Sequence, residues 1–70
     1  MRKSMRELLE RLPDYVRKNV EDFRSSYTKT KDYHRQAETR TRMAGYVLGL
    51  RDGGLITERE RQILFIYMTI

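Results

Sequence analysis

The feature that most constrains the fold is the stretch Leu50-Arg51-Asp52-Gly53-Gly54-Leu55-Ile56-Thr57-Glu58-Arg59-Glu60, which specifies the end of one helix and the start of the next. A helix that stops on a left-handed residue needs glycine there, since any Cβ opposes that backbone, and Gly54 fills the role with Leu50 and Leu55 placed for the apolar contact of a Schellman motif. Thr57-x-x-Glu60 is a capping box, in which the hydroxyl accepts from the Glu60 amide and the carboxylate accepts in return from the Thr57 amide. Glu58 and Glu60 also suit the positive start of a helix. Two helices joined by so short a connection lie roughly antiparallel, so the chain is expected to end in an αα-hairpin.

Periodicity extends the helical reading to the rest. Met1, Met5, Leu8, Leu9 and Leu12 recur at helical spacing and predict an amphipathic helix over about residues 2–12, ended by Pro13, which disfavours a helical Leu12. A second helix is expected over about 14–24, on the stripe Val16, Val20 and Phe23. The run Ser25 to Asp32 then has poor helix propensity. Against a break there, Val16, Val20, Phe23, Tyr27, Thr30, His34, Ala37, Thr41, Ala44 and Leu48 alternate in steps of four and three, as a heptad seam does. The helix of about 14–24 is therefore either separate from that of about 32–52 or continuous with it. The latter is expected to present Tyr33, Ala37, Ala44, Val47 and Leu48 on one face, and a last helix to cover about 57–69. The fold class is all-α, a small bundle of three or four helices within a single domain spanning 1–70.

A chain of 70 residues buries only about 60% of its unfolded surface, and without cysteine no disulfide or thiolate metal site supplements the core. The longest apolar run, Ile63 to Met68, falls far short of the roughly 20 residues that span a bilayer. The basic start runs into Glu7 and Glu10 with no apolar signal region, so the default location is cytoplasmic and a membrane partner is disfavoured, apart from a surface role for the first helix. Fifteen basic and ten acidic residues give a net charge of +5, which permits an acidic partner without naming one.

Leu55 to Leu64 resembles the opening of the helix-turn-helix domain of LuxR-type regulators and of the fourth region of sigma factors. In those families two further helices follow, the second entering the major groove. The sequence reaches Ile70 without them, so the expectation is a shared way of capping a helix, and no DNA-contacting residue is carried across.

Two features point to contacts. Ala37, Thr41, Gly45 and Gly49 lie four apart, a ridge of small side chains whose glycines each cost about 1 kcal/mol against alanine. Such a ridge admits a close helix, either of the same chain or of a second molecule. Ile63, Phe65, Ile66, Met68 and Ile70 place apolar groups all round the last helix, more than one neighbour covers, so a homodimer or another protein partner is expected unless the first helix closes the far side. The candidate interface is these nine residues. The alternative is a nucleic-acid-binding surface on Lys29, Lys31, Arg35, Arg40 and Arg42, interleaved with Tyr27, Tyr33 and His34.

No chemistry is spelled out. His34 is the sole histidine and has no partner set for a metal, and the pairs Glu7 with Glu10 and Glu58 with Glu60 sit among arginines in exposed turns. No nucleophile triad, phosphate loop or zinc spacing is present, so no catalytic residue, cofactor or metal is assigned. The reading is a small non-enzymatic helical protein acting through protein–protein contacts, of which a homo-oligomeric regulatory or accessory protein is one form; the alternative is a nucleic-acid-binding accessory protein.

Overall fold

The limits of each helix follow from local chemistry along the chain. A computed structural model describes residues 3–70 and contains four helices: α1 (Lys3–Arg11), α2 (Asp14–Lys29), α3 (Tyr33–Asp52) and α4 (Glu58–Thr69). The chain is all-α, a four-helix bundle without strands among the described residues. Met1, expected on the first apolar stripe, lies outside them.

Pro13, with φ −55° and ψ 150°, stands at the boundary between α1 and α2. Its fixed φ and missing N–H suit a helix start, and its carbonyl accepts from the Val16 and Arg17 amides, both at 3.0 Å. Asp14 in the first turn pairs with Arg17, a carboxylate placed at the positive end of the dipole.

The heptad reading of one continuous helix is overturned. α2 runs to Lys29, five residues past the expected limit, and the chain is extended at Thr30 and Asp32 before α3 begins. The reason is a cap: Asp32 Oδ1 accepts from the His34 amide at 2.9 Å and the Arg35 amide at 3.3 Å. A carboxylate that satisfies two orphan amides favours a new helix over continuing the old one through a poor stretch. Gln36 secures the corner by donating its side-chain amide to the carbonyls of Tyr27 at 3.3 Å and Thr30 at 3.1 Å. Of the proposed seam, Val16 and Val20 are buried, while His34, Ala37, Thr41, Ala44 and Leu48 face solvent.

The α3–α4 turn is a Schellman motif. Gly54 has φ 80°, the Leu55 amide donates to the Leu50 carbonyl at 2.9 Å, and the Gly54 amide donates to Arg51 at 2.9 Å. The capping box closes with Glu60 N to Thr57 Oγ1 at 3.1 Å and Thr57 N to Glu60 Oε1 at 2.9 Å.

The core forms where all four helices meet: Met5, Leu8 and Leu9 of α1 with the following Leu12, Val16 and Val20 of α2, Met43 and Val47 of α3, and Leu64 and Met68 of α4, capped by Ile56. α4 is the central element, packed by α1, α2 and α3. Polar contacts fix α2 against its neighbours: Asn19 donates to the Tyr46 hydroxyl at 3.1 Å beside a tilted Phe23–Tyr46 ring pair with centroids 5.5 Å apart.

The buried face of α3 differs from the expected one. Tyr33, Ala37, Ala44 and Leu48 are exposed, and Met43 and Val47, flanked by Gln36, Tyr46 and Leu50, turn inward. Alanine and glycine are compatible with either side of a helix, so their spacing carried less information than the sparse large residues that need burial.

The two classes of glycine should respond oppositely to alanine. Gly45→Ala or Gly49→Ala adds a Cβ with nothing within 4 Å and should stabilise by about 0.5–1 kcal/mol. Gly54→Ala should destabilise by about 1–2 kcal/mol because its φ of 80° opposes a side chain. Urea denaturation of the three variants measures both signs.

Candidate functional site

The residues expected to make contacts divide between two surfaces. Ala37, Thr41, Gly45 and Gly49 run along the outer side of α3, exposed, and a Cβ built on either glycine meets nothing. Among the described residues no helix covers the ridge, so the intrachain reading of it is corrected.

On α4 the apolar residues separate by depth. Leu64 and Met68 are fully buried, Ile63 and Phe65 are half-buried, and Ile66 and Ile70 remain 56% and 76% exposed. Met68 therefore leaves the candidate interface: it lies inside the bundle. The excess over what α3 covers is taken up largely by α1 and α2, as the closing role weighed for the first helix implies.

What remains is a groove of about 820 Å³ between α1, α2 and α4, lined by Ser4, Met5, Arg24, Arg59, Gln62, Ile63, Ile66, Tyr67 and Ile70. Its floor is one side of α4, because residues 59, 62, 63, 66, 67 and 70 recur at steps of three and four. No residue of α3 lines it.

Arg24 is fixed on the α2 side. Its Nε donates to the Tyr67 carbonyl at 3.1 Å, and its guanidinium lies 4.7 Å from the Tyr67 ring centroid, a cation–π placement. The Tyr67 hydroxyl donates to Glu21 Oε1 at 2.6 Å. Burial first, and then the hydrogen bond to Glu21, push the Tyr67 phenol above its ordinary pKa, so it remains a neutral donor. Arg59, at the other end of the floor, is exposed. Neither arginine forms an ion pair with a carboxylate among the described residues.

Ile63, Ile66 and Ile70, expected from the sequence as contact residues, line the groove together with Arg24, Arg59 and Met5, which were not among the expected residues. The three-and-four spacing of Arg59, Gln62, Ile63, Ile66 and Ile70 was available as a signal; the approach of Arg24 and Met5 depends on tertiary packing.

The basic residues do not make one patch. Lys29, Lys31 and Arg35 gather around the α2–α3 corner, lining a shallow depression with Ser26, Thr30, Asp32 and Thr39. Arg40 and Arg42 are two positions apart on α3, about 200° around the helix, and so project to different sides. All five are exposed, and none pairs with a carboxylate among the described residues. Nearby, Tyr33 is 78% exposed and meets His34 edge-on at 5.9 Å.

The displaced carboxylates lie elsewhere, at the hairpin turn. Arg61 first and then Arg51 hold Glu58 far below the ordinary carboxylate range, with Arg61 Nε at 2.7 Å and Arg51 Nη1 at 2.6 Å. Glu60 is lowered chiefly by the Thr57 backbone amide, with help from its partner Arg11, which ties α1 to α4. These groups are engaged in capping and pairing, a structural cause for their shifts. Among the described residues no three His, Cys, Asp or Glu side chains group to hold a metal, and no helix is long and apolar enough to cross a membrane.

No family model, curated protein or solved structure matches this chain.

The lowered glutamates set a direction for acid sensitivity. Their folded pKa lies below the unfolded value, so the stability they contribute is present above about pH 4.3 and is lost as pH falls towards the folded value. The melting temperature should hold from about pH 7 to pH 5 and decline below. Glu60→Gln, which still returns a hydrogen bond to Thr57 but loses the charge facing Arg11, should flatten that decline in part. Thermal melts by circular dichroism across pH provide the check.

Proposed function

We propose that this protein works by binding another protein through the groove between α1, α2 and α4, as a non-enzymatic accessory module. The observation that carries the reading is the open side of α4, where Ile66 and Ile70 stay exposed beside Ile63 in a concave surface flanked by Arg24 and Arg59. Exposed aliphatic groups that share a groove and are bordered by polar side chains are a feature of recognition surfaces, whereas singly scattered ones are ordinary. The core of the bundle supplies a rigid floor, since Leu64 and Met68 on the opposite side of α4 are fully enclosed.

Ile66→Asp and Ile70→Asp alter groups that already face water, so the bundle should keep its helical signal and its melting temperature within about 4 °C. Proteins retained by the unaltered chain on an affinity support should be lost from both variants, with mass spectrometry as the readout. Unchanged retention in both variants would rule out this groove as the binding surface.

A second reading, nucleic-acid binding at the α2–α3 corner, draws on Lys29, Lys31 and Arg35, which are exposed and form no ion pair with a carboxylate among the described residues, beside the exposed Tyr33. If phosphates are the ligand, affinity for single-stranded DNA or RNA should fall steeply with salt, and Lys29→Ala with Lys31→Ala should reduce the salt slope by about 1.4. A fluorescence titration that finds no binding at low salt eliminates this reading.

A further inference from the structure

We infer that the occupant of the groove is an amphipathic helix of a different protein, bearing two acidic side chains seven positions apart with apolar residues between them. This rests on the reading of the groove as a protein-binding surface and specifies its partner's chemistry.

Length and sign together select this partner. Arg24 is anchored over Tyr67, and Arg59 stands eight residues before Tyr67, about 12 Å of helix rise along α4, so the two cations border opposite parts of the floor. Between them the floor carries Ile63 and Ile66 beside Gln62, with Ile70 beyond and Met5 of α1 as a wall. A helix laid along this floor returns to the same face after seven residues, about 10.5 Å, and presents positions three and four to whatever lies between. Acids at i and i+7 thus meet the two arginines while apolar side chains at i+3 and i+4 meet Ile63 and Ile66. A single-headed amphiphile would satisfy only one of the cations.

Charge also argues against a second copy of this chain as the occupant. The exposed residues of α3, which bears the uncovered small-residue ridge, include Arg35, Arg40 and Arg42 against the single acid Glu38 between Tyr33 and Arg51. It would bring more positive charge to a groove already bordered by Arg24 and Arg59, in a chain of net charge +5. The groove calls for the opposite sign.

The test uses two labelled helical peptides of about sixteen residues, roughly 24 Å long, identical except that one has Glu and the other Lys at i and i+7, both with Leu at i+3 and i+4. Fluorescence anisotropy with the full chain should show the Glu peptide binding about tenfold or more tightly than the Lys peptide, with the difference shrinking in salt. Arg59→Glu, an exposed substitution, should remove or reverse that preference, and Ile66→Asp should abolish binding of both peptides. Equal affinities, or a preference untouched by Arg59→Glu, overturn the acidic-helix assignment; if Ile66→Asp still abolishes binding, the groove remains a protein-binding surface and only its partner was misassigned. No binding of either peptide overturns the assignment, and retention of protein partners sensitive to Ile66→Asp then decides the broader reading separately. A dimer in sedimentation that dissociates with Ile66→Asp assigns the groove to a second copy and overturns the inference.

Discussion

Leu64 and Met68 leave no surface to solvent because three helices close over one side of α4, and the arrangement of everything else follows from that enclosure. A buried side chain of this size contributes about 1.5–3 kcal/mol relative to exposure, a large share of the stability available to a small domain. α1, α2 and α3 each pack against α4. Ile66 and Ile70 lie on the side of the helix that the described residues leave open, as the floor of a groove flanked by α1 and α2. The groove is thus a geometric consequence of how the core is closed.

The parts of this architecture that sequence could reveal are those decided by chemistry between residues close in the chain. The α3–α4 turn is one, since Gly54 needs no Cβ, Leu50 and Leu55 meet across it, and Thr57 and Glu60 exchange hydrogen bonds within a single turn. The boundary at Pro13 is another. The corner at Thr30 to Asp32 was harder, because a heptad-like spacing ran through it and the competing cap depended on one carboxylate choosing two amides. The orientation of α3 was harder still: Ala37, Ala44 and Gly45 fit either side, and the partners that draw Met43 and Val47 inward come from distant segments. The candidate site was legible only as an excess of apolar residues on the last helix. Its walls were not, since Met5 is separated from Ile63 by most of the chain.

Charged groups here have divided labour. At the hairpin, Arg51, Glu58 and Arg61 satisfy one another, and Arg11 meets Glu60, so the shifted carboxylates are explained by pairing and capping. Exposed pairs of this kind contribute little individually, but they hold the turn and the end of α1 in register. Among the described residues Arg24 and Arg59 form no such ion pair, and the cations of the α2–α3 corner share that condition. What distinguishes the groove is that its cations border an apolar floor, whereas those at the corner surround a polar depression.

The position of Met5 ties two equilibria together. α1 spans nine residues, shorter than an isolated helix can sustain in water, so its helical state depends on docking to the bundle. Met5 sits both in the core and in the wall of the groove. Whatever fills the groove against Met5 also holds α1 down, and whatever loosens α1 dismantles the wall. Under the proposed reading, recognition and the folding of the first helix would share one free energy, and a partner that fills the groove would hold α1 against local opening.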